Sequence, residues 1–141
     1  MSESTPLHTA VREPRIVSDG VPPLLLLLHG YGSDEADLLG LADYLDPRLR
    51  VLSVRAPMPL DMGGHAWFPI DITPVGIVVD HEAADRSLEQ LGQLLDAVQE
   101  AQGNGVADTL VLGFSQGGSM ALGLLLARPE AVGGVAFLSG L

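Results

Sequence analysis

Along this chain, short runs that are apolar at every position alternate with stretches whose apolar residues recur every three or four positions. Leu24 to Leu28 is a run of five leucines, the pattern of a strand buried on both faces rather than on one. Ser33-Asp34-Glu35 supplies a helix start, after which Leu38, Leu41, Ala42 and Leu45 fall on one helical face until Pro47. Arg50 to Ala56 reads as a second buried strand, closed by Pro57 and Pro59, and a long glycine- and proline-rich loop is expected from Met58 to Pro74. Leu88, Leu91, Leu95 and Val98 mark an amphipathic helix that runs out at Gly103-Asn104-Gly105. Thr109 to Phe114 is a third strand and Val135 to Leu138 a fourth. Between them Gly117 to Ala127 is a helix apolar nearly all round, and therefore buried. Leu7 to Val11 and Arg15 to Val17 suit an antiparallel edge hairpin. Strand and helix in alternation predict the α/β class, a mostly parallel sheet with helices on both faces. No internal repeat, low-complexity segment or second domain is legible.

Composition narrows the partners. A chain of 141 residues, 47% hydrophobic and 18% charged, is a single globular domain rather than a disordered tail. Its 18 acidic residues face 7 basic ones, all arginine, for a net charge of -11. That balance repels phosphate backbones and anionic lipids, so no nucleic-acid partner is expected. The absence of lysine fits codon bias and a salt-adapted host equally well. With no cysteine, disulfides, thiolate metal sites and cysteine nucleophiles are excluded. Leu24 to Leu28 and Met120 to Ala127 are too short for a membrane span. The first of these follows Glu3, Glu13 and Asp19 rather than a basic start, unlike a signal peptide. A soluble, cytoplasmic protein is expected.

The candidate chemistry begins at Gly113-Phe114-Ser115-Gln116-Gly117, a G-x-S-x-G motif extended by Gly118. A strand runs into it and a helix runs out, the context of a nucleophile elbow. A serine in so strained a turn needs glycines at 113 and 117, because side chains there would strike adjacent backbone. The turn would lift the Ser115 hydroxyl to the carboxyl edge of the sheet, with the free N–H groups of the next helix aimed at a developing oxyanion. The plainer alternative is a strand-to-helix turn with a capping serine. His29-Gly30-Tyr31-Gly32-Ser33 follows the first buried strand, so its loop is expected at the same edge. An oxyanion hole takes one N–H from the residue after the nucleophile and one from such an upstream loop, here Gln116 and Tyr31. Gly30 and Gly32 would permit the close approach, and His29 would hold the loop in shape. Each such donor lowers a barrier by roughly 3 kcal/mol.

LLLLLHGYGSDEADLL, RAP, HAWFPI, GFSQGGSMAL and FLSG follow one another as in the phospholipase/carboxylesterase family of serine α/β-hydrolases, which includes the acyl-protein thioesterases, and the chain resembles that family from about Pro23 onward. The resemblance implies Ser115 as nucleophile, the Tyr31 and Gln116 amides as oxyanion hole, and Trp67 and Phe68 lining an acyl pocket. It also implies small-molecule carboxylic esters or thioesters as substrates, with no cofactor and no metal. Family members carry two further strands, bearing the triad aspartate and histidine, after the position of Leu138. After Ser115 this chain has one carboxylate, Glu130, and no histidine, so residues 1–141 are expected to be one incomplete hydrolase domain, with C-terminal strands missing. The rival expectation is a non-catalytic fragment or pseudoenzyme that keeps the fold, needs a second polypeptide or acts as a binding module. The strand edge at Val135 to Leu138 is then expected to be open to self-association.

Substitutes for the missing base would be His65 or His81, oriented by a carboxylate such as Asp71 or Asp80, but both histidines read more simply as rim or substrate-loop residues, and His8 as surface. Met58, Leu60 and Met62 suit a hydrophobic entrance for acyl chains and a packed-down loop equally. Asp34, Glu35 and Asp37 read as helix-end charges rather than metal ligands.

Overall fold

The computed structural model describes residues 7–17 and 19–138. In chain order the elements are β1 (Thr9–Arg12), β2 (Leu24–Leu28), α1 (Glu35–Leu39) with a following 3-10 turn (Gly40–Tyr44), and β3 (Arg50–Val54). The two-residue strands β4 (Met58–Pro59) and β5 (His65–Ala66), then β6 (Ile70–Thr73), β7 (Gly76–Val79) and α2 (His81–Gln102), come next. The chain continues through β8 (Thr109–Phe114), α3 (Gln116–Ala127) and β9 (Gly134–Leu138). The main sheet runs β1-β3-β2-β8-β9; β1 is antiparallel to β3 and every other pair is parallel. This is the mostly parallel, helix-flanked sheet of an α/β-hydrolase.

The leucine run explains the layering. Side chains alternate along a strand, so Leu24, Leu26 and Leu28 enter one core with Leu91 and Leu95 of α2 and Leu124 of α3, while Leu25 and Leu27 enter a second core with Val51, Ala42 and Leu38. Asp34 caps α1, its carboxylate accepting from the Ala36 and Asp37 amides. Asp80 caps α2 by accepting from the Ala83 amide, and α2 ends where Gly103 turns left-handed at φ 79°, the conformation glycine adopts without a Cβ penalty.

Two expectations need correcting. The amino-terminal strand is present, but it pairs with β3 rather than folding back on Arg15 to Val17. The Arg15 and Ile16 amides instead donate to the Pro47 carbonyl, so that segment straps the α1–β3 connection. The stretch from Met58 to Pro74 is also more ordered than an open loop. Met58–Pro59 pairs with His65–Ala66, and Ile70–Thr73 forms a hairpin with Gly76–Val79. The branched residues flanking Pro74-Val75 favour extended backbone, and Gly76 takes the positive φ of 132° that the turn requires.

The strand order sets up the site. From β2 the sheet grows one way to β3 and the other way to β8, so the crevice between the carboxyl ends of β2 and β8 is a topological switch point, where ligands bind in open α/β sheets. Leu28 stands opposite Gly113 there, which brings the residues after β2 beside those after β8. Leu26 is fully enclosed in the larger core. Leu26→Ala is expected to cost about 3 kcal/mol in urea-unfolding stability, and a cost below about 1 kcal/mol would contradict this packing.

Candidate active site

Ser115 sits between β8 and α3 at φ 56° and ψ −116°, the one non-glycine residue with positive φ among those described. Such a backbone costs of order 1–3 kcal/mol and persists only where its surroundings enforce it. Those surroundings are visible. The Ser115 amide donates to the Leu138 carbonyl at 2.8 Å, and the Ser115 carbonyl accepts from the Gly118 and Ser119 amides at 2.9 and 3.3 Å. A Cβ at Gly113 would lie under 3.0 Å from the Gly117 carbonyl oxygen, and one at Gly117 would crowd the Leu28 and His29 carbonyl oxygens as closely. The side chain of Ser115 makes no cap bond to α3, which removes the capping-serine reading.

The loop after β2 lies against this turn. A Cβ on Gly30 would come within 3.3 Å of the Ser115 Cβ and 3.2 Å of the Phe114 carbonyl oxygen, so the loop and the turn are in close contact here and a larger residue would press them apart. Gly32 has φ 81°, and its amide donates to the His65 carbonyl at 2.9 Å while the His65 amide donates to the Ser33 carbonyl at 2.8 Å. Among the described residues, neither the Tyr31 nor the Gln116 amide has a backbone acceptor; the latter belongs to the first turn of α3, where N–H groups have no partner inside the helix.

His29 is buried and its ring is fully used. Nδ1 lies 2.8 Å from the Gly30 carbonyl oxygen and Nε2 accepts from the Ala56 amide at 3.0 Å, an arrangement that requires the neutral ring with its proton on Nδ1. Burial pushes its pKa below 6.5, against the opposing pull of the Gly30 hydrogen bond. The ring therefore braces the loop and is not free to accept the Ser115 proton.

Two cavities meet at Ser115. One, of about 550 Å³, is lined by Phe68 and by Ile70, Ile72, Ile77 and Val79 of the β6–β7 hairpin, with Tyr31, Gln116 and Ser119. The other, of about 270 Å³, lies across Tyr31 and is bordered by Ser33, Asp37, Leu38 and Phe114. Phe68 thus lines the larger cavity. Trp67 does not: it is 1% exposed inside the core, and its indole Nε1 donates to the His29 carbonyl at 2.7 Å. The chain bends at both residues, between β5 and β6, so one side chain borders the cavity while the other is enclosed in the core. No described histidine lines either cavity. His65 instead borders a separate hollow with Arg55 and Pro57, and His81 opens α2 at the surface. Met58, Leu60 and Met62 line neither cavity at Ser115. Among the described residues no group of three or more His, Asp or Glu side chains is placed to hold a metal ion, and no helix is long and apolar enough to cross a membrane.

A strained serine between strand and helix, beside a glycine-bearing loop, is the geometry against which the comparisons with known proteins stand. Residues 11–141 match the family model described as Phospholipase/Carboxylesterase. The chain belongs to the phospholipase/carboxylesterase family. Among relatives of this family chain, the putative hydrolase MhqD of Bacillus subtilis is 30% identical over 111 residues, which are 79% of this chain and 54% of MhqD. A probable inactive carboxylesterase of Oryza sativa is 32% identical over 77 residues, 53% of this chain and 31% of the relative. The crystal structure of esterase PE8 superposes with a TM-score of 0.83 at 31% identity, covering 97% of this chain and 65% of PE8. This carboxylesterase-family chain therefore spans about half of MhqD and less of the rice protein.

Two functional features escape a reading of the sequence: the hairpin wall, signalled only by branched residues around a Pro-Val-Gly turn, and the side chain of Gln116. Because His29 is neutral when folded, the unfolded chain binds a proton that the folded chain excludes between the depressed pKa and 6.5. Its contribution to stability is complete above about pH 6.5 and falls as the pH drops through that window. Urea midpoints are expected to decrease from about pH 7.5 to about pH 5.5, with a weaker decrease in His29→Gln.

Proposed function

We propose that this chain carries the acylating half of a serine hydrolase for carboxylic esters or thioesters, with Ser115 as the nucleophile. The single observation that supports it most is the positive φ of Ser115, a strained backbone at a residue that borders both cavities. In this reading the acyl chain lies along Phe68 and the hairpin, and the leaving group lies across Tyr31. Ser115 Oγ attacks the carbonyl carbon, forming a C–O bond while the carbonyl π pair moves onto oxygen. The Tyr31 and Gln116 amides receive that oxyanion. Collapse of the tetrahedral carbon re-forms the C=O and breaks the bond to the leaving oxygen or sulfur, which takes up the proton lost by Ser115; water later cleaves the acyl-enzyme, releasing the acid and returning a proton to Ser115.

The hydroxyl proton needs an acceptor, and this is where the reading divides. Both His29 nitrogens are engaged, no described histidine borders Ser115, and residues 116–141 contain none. Loss of the histidine in a serine protease costs about a millionfold in kcat while an oxyanion hole retains about a thousandfold over water. The 141-residue chain alone is therefore proposed to be a feeble hydrolase. A second reading, a non-catalytic relative that retains the fold, is favoured by the likeness to the probable inactive carboxylesterase of Oryza sativa.

A fluorophosphonate probe separates the two. Slow labelling at Ser115, abolished in Ser115→Ala, supports an activated nucleophile, and absence of labelling supports the non-catalytic reading. Turnover of a p-nitrophenyl ester above about 1 per second, the range of ordinary enzymes, would contradict the missing base.

We further propose self-association through β9. Among the described residues it pairs only with β8, Phe137 and Leu138 are 43% and 42% exposed, and Leu138 stands opposite the exposed Phe114. Its sequence, GVAFL, has no charge or proline to discourage pairing. A second copy presents the same strand, so two edges can pair about a twofold axis. Light scattering is expected to give at least a dimer, reduced by Phe137→Lys; a stable monomer at high concentration would contradict it.

A further inference from the structure

The side chain of Gln116 is 4% exposed and forms two hydrogen bonds across the site. Its Oε1 accepts from the Trp67 amide at 2.7 Å, and its Nε2 donates to the Phe68 carbonyl at 2.8 Å. A side-chain amide here imitates a peptide group and pairs with residues 67 and 68 as a neighbouring strand would. The same segment is tied on its other side, where the Ser87 hydroxyl of α2 donates to the Trp67 carbonyl and the Trp67 indole reaches the His29 carbonyl. One residue beyond these ties the cavity wall begins, with Phe68 and Ile70.

Gln116 also follows Ser115 directly, at the first position of α3. A single residue therefore joins the nucleophile turn to the wall of the apolar cavity. Among the described residues the hairpin beyond Phe68 packs on the core through Ile70 and Val79 and is exposed at Ile72 (82%) and Val75 (96%). Without both bonds the Trp67 amide and the Phe68 carbonyl would be buried and unpaired, and the segment would have to move to find water. A wall that moves relative to the nucleophile cannot discriminate chain length, because each methylene is recognised only if it is enclosed when the carbonyl sits at Ser115.

We propose that the Gln116 carboxamide is a positioning and specificity-determining residue, fixing the Phe68 wall relative to Ser115 and so setting how strongly the site favours longer acyl chains. The proposal rests on the reading of the cavity as an acyl site, but it concerns the side chain of Gln116 rather than its backbone amide. The side chain touches no reacting atom and acts through Trp67 and Phe68.

The test uses a homologous series of uncharged methyl ketones, which place a carbonyl and an alkyl tail without requiring reaction. Trp67 is the single tryptophan, so its emission reports both the clamp and binding. Wild type is expected to bind each longer ketone about threefold to fourfold more tightly per methylene enclosed. Gln116→Met, similar in shape but without the amide, is expected to fall below about twofold per methylene. A role in stability alone would weaken all ketones equally and leave that slope unchanged, and equal slopes, or a flat series in the wild type, overturn the proposal. Hydrogen exchange on the wild type needs no variant to fold. The Trp67 amide is expected to exchange slowly, and more slowly with a long ketone bound than with a short one. Exchange at the rate of an amide with no hydrogen bond overturns the clamp. Because neither readout requires phosphonylation of Ser115, failure of the clamp and failure of the nucleophile reading give different results.

Discussion

A serine forced into the left-handed region at the end of a buried strand organises the rest of this molecule. The conformation is costly, so several independent features have to hold it. β8 delivers the residue to the carboxyl edge beside β2, glycines at 113 and 117 leave room for backbone where any Cβ would collide, and α3 starts at the next residue. Removing any one of these gives the turn an easier conformation. The strain is thus a product of sheet order as much as of local sequence, because the Leu28 and His29 carbonyls that crowd Gly117 belong to the neighbouring strand and its loop.

From that turn the polar groups form a connected set. The loop after β2 is braced from inside by the neutral ring of His29, from the side by the His65 backbone, and from below by the indole of Trp67. Trp67 and Phe68 are in turn held by Gln116 and Ser87. Buried polar groups this closely linked stabilise only when every member is satisfied. The apolar side of the site is supplied by a hairpin that packs on the core through Ile70 and Val79, and the Gln116 carboxamide ties the segment that leads into it.

The sequence made the layers legible because burial on both faces leaves a continuous apolar run. Leu24 to Leu28 and Thr109 to Phe114 are strands over the residues the pattern suggested. The elbow was legible because its glycines and flanking elements are local. The amino-terminal segment was misread because pairing with β3 depends on a partner some forty residues away, which no local pattern encodes. Helix α2 opens at His81, as read from the sequence, its first residues being largely polar and stabilised by the Asp80 cap. The family resemblance put Trp67 at a pocket wall; the bend it shares with Phe68 sends it inward instead. The second role of Gln116 was invisible, since a glutamine in a motif gives no sign of what its side chain reaches across the fold.

The central claim is that strain at Ser115 presents a hydroxyl to two waiting main-chain amides. A high-resolution crystal structure of the chain soaked with a fluorophosphonate tests it most directly. The account predicts a phosphorus bonded to Ser115 Oγ, φ still positive, and one phosphoryl oxygen about 2.7–3.1 Å from both the Tyr31 and Gln116 nitrogens. An unmodified serine at ordinary negative φ, or an adduct whose oxygen turns away from both nitrogens, would contradict it.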